Sequence, residues 1–519
     1  MTISSMMLSG CIKLGPDFSP MDSKHIPKEW KQNYKHSSIV RWWRLFGDSK
    51  LNTLVQKAFN QNLDLQSAGL KIIQSRAILG ISQGMQFPQV QTLSAQASAT
   101  HTQAMDISTK SINFDTIWEM DIWGKYARGI ESSQADLMAS VSSYEAVFVA
   151  VIAEVVKNYI IYKTAQERLL YAKRNVSIQQ RVVKMTKVQF NLGNVSELDM
   201  QQAKTQLYNT QASIEAIKLT QVQAINALSL LLATDTKTVK KIIKDSHINK
   251  YINNNSVIAK YKGTIQINTN SKILNVDIIP NPKLNPYYKI DANLLNQRPD
   301  IKAAEHIVHS QFAKLGVEMS HLYPSFSLFG NIGYNSDNKS GSWIPSDLAL
   351  GVSVGPSFSW DILNYDRIKN KIRLQDASLQ LAIIEYNKKV LSAVTEVKSA
   401  LDSYRLTLKQ LEQNKKALQA TIRAFNLSVI QYNDGLVSYQ RLLTTIEKLT
   451  LTQDRYASLK GAVSLNAIAL YKALGGGWQV AKGKSYISQQ SITQMKSRTD
   501  WKNYLDANAT KIPQGLLDE

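Results

Sequence analysis

Two stretches of the chain, Asp121 to Leu232 and Asp361 to Leu474, contain no proline and repeat apolar residues at helical spacing, which predicts helix following helix. In the second, Tyr439, Leu442, Ile446, Leu449 and Tyr456 fall on one seam in steps of three and four, interrupted by Gln453. That is the heptad rhythm of coiled-coil-like packing. Phe190-Asn191-Leu192-Gly193 breaks the first stretch and Tyr432-Asn433-Asp434-Gly435 the second, each reading as a helix end with glycine in the left-handed cap position. Each stretch therefore predicts two long helices joined by a tight turn. A helix from about Asp366 to Asn433 would be roughly 100 Å long at about 1.5 Å per residue, too long for a compact domain.

Ahead of each helical stretch the period falls to two. Ile112, Phe114, Thr116, Trp118, Met120 and Ile122 alternate with Asn113, Asp115, Ile117, Glu119 and Asp121, a strand with one apolar and one wet face. Its expected partner is Val90 to Thr100, where Leu93, Ala95, Ala97 and Ala99 alternate with polar residues. A second pair places Phe326, Leu328, Gly330, Ile332 and Tyr334 on one strand and Leu348, Leu350, Val352, Val354, Phe358 and Trp360 on the other. Such hairpins suit a soluble sheet or a membrane. Strands of about ten residues cross a bilayer when tilted, and aromatic residues near the strand ends fit its interfaces. Four strands cannot close a barrel, and about eight make one filled by its own side chains; four per chain in a trimer would give twelve around an open lumen.

The two halves also match residue by residue. Asp64-Leu65, Ala68, Ala77, Gly80 and Phe87-Pro88 recur 236 positions later as Asp300-Ile301, Ala304, Ala313, Gly316 and Tyr323-Pro324. Asp121-Ile122 recurs as Asp361-Ile362, and Gly193 as Gly435. A constant offset over this length predicts an internal duplication rather than a solenoid. The expected organisation is a truncated signal peptide at 1–10, an irregular leader at 11–47, a first repeat at 48–233, a linker at 234–297, a second repeat at 298–475, and a C-terminal tail at 476–519, flexible or wrapped around the outside. Asp48 is placed to cap a helix carrying Leu51, Leu54, Val55 and Ala58 on one face.

Composition narrows the chemistry. The formal charge is +21 over 519 residues, but Lys and Arg are dispersed along the helices rather than clustered with aromatics, which argues against a nucleic-acid partner. The surplus points instead to anionic solutes or an acidic partner. The longest strictly apolar helical run, Ala146 to Ala153, stops at Glu154, short of the roughly 18 residues of a spanning helix, so no transmembrane helix is expected. Glu305, His306 and His309 share a helical turn, but no third ligand stands out and the order of the zincin motif is absent, so no metal site is expected. There is no phosphate loop, no nucleophile elbow and no setting for paired buried carboxylates, so no enzyme activity is expected.

Cys11 is the sole cysteine, which excludes an intrachain disulfide, and it follows Leu8-Ser9-Gly10. The sequence resembles the lipobox of bacterial lipoproteins, although Met1 to Gly10 holds no basic residue. The resemblance implies diacylglycerol and palmitate on Cys11, and more than one chain is needed for stable anchoring because each buried methylene contributes about 0.8 kcal/mol.

Trp43 with Phe46-Gly47-Asp48, Asn62-Leu63-Asp64-Leu65, Phe87-Pro88, Trp118 to Trp123, Gln297-Arg298-Pro299-Asp300-Ile301, Tyr323-Pro324, Trp360-Asp361-Ile362 and the two glycine turns together resemble the TolC-like outer-membrane efflux family. Within it, the chain is most similar to the lipoprotein branch, the outer-membrane factors of resistance-nodulation-division pumps. The resemblance implies a mostly helical chain with membrane β-structure. It would form a homotrimer with a twelve-stranded outer-membrane barrel, continued by a long periplasmic helical barrel. The implied function is a passive exit duct for drugs or other small amphiphilic compounds, without a cofactor, working with a periplasmic adaptor (membrane fusion) protein and an inner-membrane pump. The same duct in type I protein secretion is an alternative, and a soluble coiled-coil scaffold or nucleic-acid binder is one from another class.

The resemblance also places Gly193 to Gln202 and Gly435 to Thr444 at the periplasmic gate, giving Gly193, Glu197, Asp199, Gly435, Gln440, Arg441 and Thr444 as candidate site residues. The family often carries an acid after the paired leucines there, whereas this chain has Leu442-Leu443-Thr444. Gln440 and Arg441 could hydrogen-bond across subunits, or Arg441 could simply be solvated. Glu197 and Asp199 are equally explained as the start of a helix, where Ser196 caps and carboxylates are favoured by the dipole.

Overall fold

The structure is a computed structural model that describes residues 12–21, 40–103, 106–244, 258–261, 264–267, 278–282, 295, 297–337 and 350–511. Cys11, segment 1–10, Leu348, most of the linker and the last eight residues lie outside the described residues.

In chain order the first half contains α1 (Ser49–Gln61), α2 (Leu63–Gly84), β1 (Val90–His101), β2 (Asp106–Met120), α3 (Lys125–Asn191) and α4 (Glu197–Leu231). After α5 (Thr236–Ile243) and a small hairpin of β3 (Ile258–Tyr261) and β4 (Thr264–Ile267) come α6 (Pro299–Ser320), β5 (Ser325–Asp337), β6 (Leu350–Ser359), α7 (Arg367–Asn433) and α8 (Tyr439–Ala473). A short α9 (Gln489–Lys496) follows. The long helices of both halves have equal lengths, 67 residues in α3 and α7 and 35 in α4 and α8. The proline-free stretches thus fold as their periodicity predicts.

The chain divides into two compact units. One comprises Met1–His25, Ala68–Tyr144 and Pro299–Val390, the other Ile26–Ser67, Glu145–Arg298 and Leu391–Glu519. We call them the sheet unit and the hairpin unit; α2, α3 and α7 contribute residues to both.

In the sheet unit the leader is pinned by one arginine. The Arg128 guanidinium is buried, with Nε donating to the Leu14 carbonyl at 3.0 Å and Nη2 to the Gly15 carbonyl at 3.2 Å and Asp17 Oδ1 at 2.7 Å. Nη1 donates to Glu131 Oε2 at 2.9 Å. A guanidinium can be buried only when its fork of donors is matched in this way. Gly15 has φ of 84° and approaches Gly316 so closely that a Cβ on Gly15 would lie 2.7 Å from the Gly316 Cα, which requires glycine at both positions.

The hairpin unit is organised by the predicted seam. Tyr439, Leu442, Ile446, Leu449 and Tyr456 are buried in one cluster with Leu418, Ile422 and Phe425 of α7 and Tyr171, Ile178 and Val182 of α3. Gln453, the polar interruption, is buried with them. Further along, α3 and α8 approach closely at Gly461, where a Cβ would stand 2.2 Å from Thr164 Oγ1. Beside this crossing Lys460 Nζ donates to both oxygens of the fully buried Glu167 at 2.9 Å, and Arg168 binds Asp454 in bidentate fashion at 2.7 and 3.1 Å.

Two expectations gain detail. Of the two alternatives for the segment after Leu474, flexible or wrapped around the outside, its described residues favour packing: Trp478, Tyr486, Ile487, Ile492, Met495 and Leu505 are buried, and Ser488 caps α9 by accepting from the Ser491 amide at 3.1 Å. Its apolar residues are sparse among Gln, Ser and Lys, so composition alone concealed them. In addition, α3 does contain an 18-residue window with mean hydropathy 1.6, apolar enough to cross a membrane. Two thirds of that window is buried inside the protein, the mark of a packed core helix. Counting the longest uninterrupted run missed it because Glu154 interrupts a segment that remains apolar on average.

The buried pair gives a stability prediction. Lys460→Met removes the ammonium that meets both oxygens of the buried Glu167 carboxylate and should lower unfolding stability by about 3 kcal/mol, while adding Glu167→Leu should restore much of the loss. Thermal or denaturant melts of the purified protein read this directly; equal melting of wild type and Lys460→Met would refute it.

Candidate functional site

The four long strands form a single antiparallel sheet in the order β1-β2-β5-β6. The two hairpins are joined through β2 and β5, with Ile112 opposite Tyr334, Phe114 opposite Ile332 and Trp118 opposite Leu328. The register carries one apolar face across all four strands, because directly paired residues share a face. Leu93 pairs with Phe114, Ala95 with Ile112, Tyr334 with Leu350 and Ile332 with Val352. Among the described residues of the sheet unit nothing covers this face: Leu93 and Val354 are each 73% exposed and Phe358 71%. The outer edges of β1 and β6 also have no neighbouring strand among the described residues.

At one end the face carries a band of indoles anchored in the same way in both halves. Trp118 Nε1 donates to the Gln86 carbonyl at 3.1 Å, and Trp360 Nε1 to the Leu322 carbonyl at 3.1 Å. Each acceptor lies two residues before a turn proline, Pro88 or Pro324. Trp123 Nε1 donates to the Pro324 carbonyl at 2.8 Å, and its ring stacks on Tyr323 at 4.8 Å. Rings with one apolar and one hydrogen-bonding end suit a membrane boundary.

The opposite face is mostly polar, crossed by one apolar row of Val90, Ile117 and Phe329. One row across it reads Thr92, Asp115, Asn331 and Ser353, and Asn331 Nδ2 donates to Asp115 Oδ1 at 2.6 Å. Near the strand end Glu119 accepts from Lys125 Nζ at 2.9 Å and from the Tyr126 hydroxyl at 2.8 Å. Burial, reinforced by Glu119, pushes the Tyr126 phenol well above its ordinary value. Asp121 accepts from the Tyr126 and Ala127 amides at 3.1 and 2.7 Å, satisfying the first donors of α3. A cavity of about 230 Å³ lined by Glu119, Asp121 and Lys125 with Arg367 and Lys371 is therefore a strand-to-helix joint rather than a reaction centre.

In the hairpin unit the two glycine turns close identically. Gly193 and Gly435 have φ of 75° and 72°. Asn194 N donates to the Gln189 carbonyl at 2.9 Å and Leu436 N to the Gln431 carbonyl at 2.8 Å, while Gly193 N reaches Phe190 and Gly435 N reaches Tyr432. These paired bonds satisfy carbonyls at each helix end and need the left-handed residue that glycine supplies.

The helices after the turns begin differently. Ser196 and Asp199 make a complete capping box: the Asp199 amide donates to Ser196 Oγ at 3.2 Å and the Ser196 amide to Asp199 Oδ2 at 3.0 Å. Ser438 makes no side-chain cap, and Arg441, at the position where Asp199 stands, has no carboxylate to return the second bond of a capping box. The candidate residues Gly193, Glu197, Gly435, Gln440 and Arg441 are exposed, whereas Thr444 is partly buried and its hydroxyl donates to the Gln440 carbonyl at 2.9 Å. Tyr432 and Tyr439, on either side of the second turn, meet edge to face at 5.9 Å, and Tyr439 shares a buried cluster with Val182 of α3 and Ala203 of α4, which flank the first turn. Burial, with a smaller contribution from Asp199, pushes the Tyr439 phenol up to about 12. Sequence reasoning missed Leu192, Leu198 and Leu436, which expose 66%, 66% and 73% of their surface around these turns. Their only signal was position, leucines at a tip where no core can cover them.

The third constellation separates into structural contacts. Glu305 accepts from the Met21 amide at 3.1 Å, and His309 stacks on Phe18 at 4.3 Å with Nε2 placed 3.2 Å from Glu131 Oε1. Burial, with His309 and Lys302 nearby, depresses His306 to about 4. Among the described residues no group of three or more His, Cys, Asp or Glu converges as a metal site.

An open sheet with one lipid-compatible face, set in a chain of paired 67- and 35-residue helices, defines a membrane channel component. The family described as Outer membrane efflux protein matches residues 54–234 and 292–476, and the chain belongs to it. The family is one of channel proteins. Similar proteins include Nodulation protein T of Rhizobium leguminosarum bv. viciae, 26% identical over 405 residues covering 77% of each chain. The probable outer membrane lipoprotein SilC of Salmonella typhimurium is 25% identical over 484 residues, covering 91% of this chain and 97% of its own. Among solved structures the outer-membrane channel OprN superposes with a TM-score of 0.75 at 25% identity, covering 90% of this chain and all of that one.

Two predictions follow from the geometry. Ser196→Ala should cost about 1 kcal/mol of local stability and speed amide exchange in the first turn of α4, while Ser438→Ala should leave α8 unchanged; equal effects would contradict the difference in capping. For His306 the folded value lies below the unfolded 6.5, so the unfolded chain takes up the proton first. Stability should therefore fall as pH drops from about 6.5 towards 4, by on the order of 3 kcal/mol. In His306→Gln that loss should be largely absent, and an identical acid slope in both proteins would refute it.

Proposed function

We propose that this protein is the outer-membrane exit duct of a tripartite efflux assembly, working as a homotrimer. The observation that carries the reading is the four-stranded sheet whose apolar face is uncovered and whose two edges are bare among the described residues. A sheet cannot stay in that state in water, and three copies joined edge to edge would make twelve strands with the apolar face towards lipid and the polar face around a lumen. The repeated helix lengths and the paired tryptophan anchors support an internal duplication, with each half supplying two strands and one long hairpin.

On this reading the hairpins form a periplasmic tunnel, and the glycine turns form the end that meets a periplasmic adaptor and, through it, an inner-membrane pump of the resistance-nodulation-division class. The exposed leucines at 192, 198 and 436 support a docking role for that end, since apolar side chains grouped on a surface mark contact sites. Gln440, Arg441, Glu197 and Asp199 would add polar contacts there. Cys11 would carry diacylglycerol and palmitate, tethering the trimer to the outer membrane. The duct itself supplies a passage and no chemistry. Relatives named for cation efflux in Escherichia coli and for solvent efflux in Pseudomonas putida favour small solutes over secreted proteins as cargo.

Fractionation tests the proposal. The protein should sediment with outer membranes and run as a heat-modifiable trimer, and Cys11→Ser should lose palmitate labelling while keeping the oligomer. A soluble monomer would reject the duct, and unchanged labelling would remove the lipid anchor.

A further inference from the structure

The chain is strongly basic, yet the face that would line the barrel lumen is not. Paired residues assign the polar side to Thr92, Ser94 and Gln96 on β1, Asn113, Asp115 and Glu119 on β2, and their partners on β5 and β6. Among the described strand residues this face carries Asp115, Glu119 and Asp337, and no Lys, Arg or His. Lys110 and His101 fall in register with the apolar face, opposite Ala97 and Asp106. The net charge of +21 therefore says nothing about the barrel face that solutes would pass.

Of these carboxylates, Asp115 is the one suited to act on permeating ions. Glu119 is neutralised by Lys125 at 2.9 Å, and Asp337 stands at the last residue of β5. Asp115 lies within the strand, half-buried, and its hydrogen-bond donor is the neutral Asn331 amide at 2.6 Å. Its cross-strand neighbours Thr92 and Asn331, and Ser353 beyond, are uncharged. An amide holds the carboxylate in one orientation without cancelling its charge, so the field remains available to the lumen.

We propose that Asp115 is a selectivity-determining residue that gives the barrel a preference for cations, against the sign of the whole chain. The inference rests on the duct reading: a trimer would present three such carboxylates at one level of the pore. Their reach follows the screening length, about 30 Å in 0.01 M salt but about 3 Å at 1 M. The preference should be strong in dilute salt and fade in concentrated salt. This reverses the expectation, drawn from the basic surplus, that the protein favours anionic solutes.

The test is the zero-current potential of the full-length particle in planar bilayers under a tenfold KCl gradient in the 10–100 mM range, for wild type and Asp115→Asn. The isosteric amide keeps an oxygen acceptor for Asn331, and the heat-modifiable trimer on gels checks assembly. Wild type should select potassium over chloride, and Asp115→Asn should lower that permeability ratio by about twofold or more while keeping unitary conductance steps. Anion selectivity in wild type, or an unchanged ratio in Asp115→Asn, would overturn the inference and leave the duct intact. A particle that gives no conductance steps would overturn the duct reading and this inference with it.

Discussion

The whole structure depends on a sheet that cannot satisfy itself. Four strands carry an apolar face, with side chains such as Leu93, Val354 and Phe358 more than two-thirds exposed, and the outer edges of β1 and β6 meet no strand among the described residues. Each unpaired backbone group costs several kcal/mol away from water, and each exposed apolar side chain costs in water. One environment relieves both, a lipid bilayer in which the edges are closed by further strands. The indoles of Trp118 and Trp360, each tied to a backbone carbonyl ahead of a turn proline, set a boundary for that environment in both halves of the chain.

The hairpin unit answers a different demand. Long helices are marginal alone and gain stability from packing, and here the seam on α8 meets α7 and α3 in one cluster. Where side chains must give way, Gly461 admits Thr164 and the Lys460–Glu167 pair fills the interior beside it. The two glycine turns end the helices by the same bonds but open the next helices differently, one with a capping box and one with an arginine in its place. That asymmetry leaves the paired ends alike in backbone and unlike in charge.

Much of this was legible in the sequence because helical and strand periods are local. The seam from Tyr439 to Tyr456, the alternation along 112–122 and the glycine caps each declare themselves within a few residues. The junction of β2 with β5 did not, since it pairs residues more than two hundred positions apart, and only the register shows that two hairpins share one apolar face. Arg128 reads as any helical arginine until Gly15 and Gly316 bring the leader against it. The packing of Trp478 and Tyr486 was masked by polar neighbours. Net charge is the least informative signal, because a sum over 519 residues is blind to which side of a strand each charge occupies. At the turns, the residue types were visible but not the exposure of Leu192, Leu198 and Leu436.

Amide hydrogen exchange on the edge strands of the lipid-reconstituted particle tests the central claim most directly. If neighbouring copies close the sheet, the outward amides of Val90–His101 and Leu350–Ser359 should be protected as strongly as those of the interior strands β2 and β5. Rapid exchange at every second amide of β1 and β6, with β2 and β5 protected, would show an open four-stranded sheet and contradict the account.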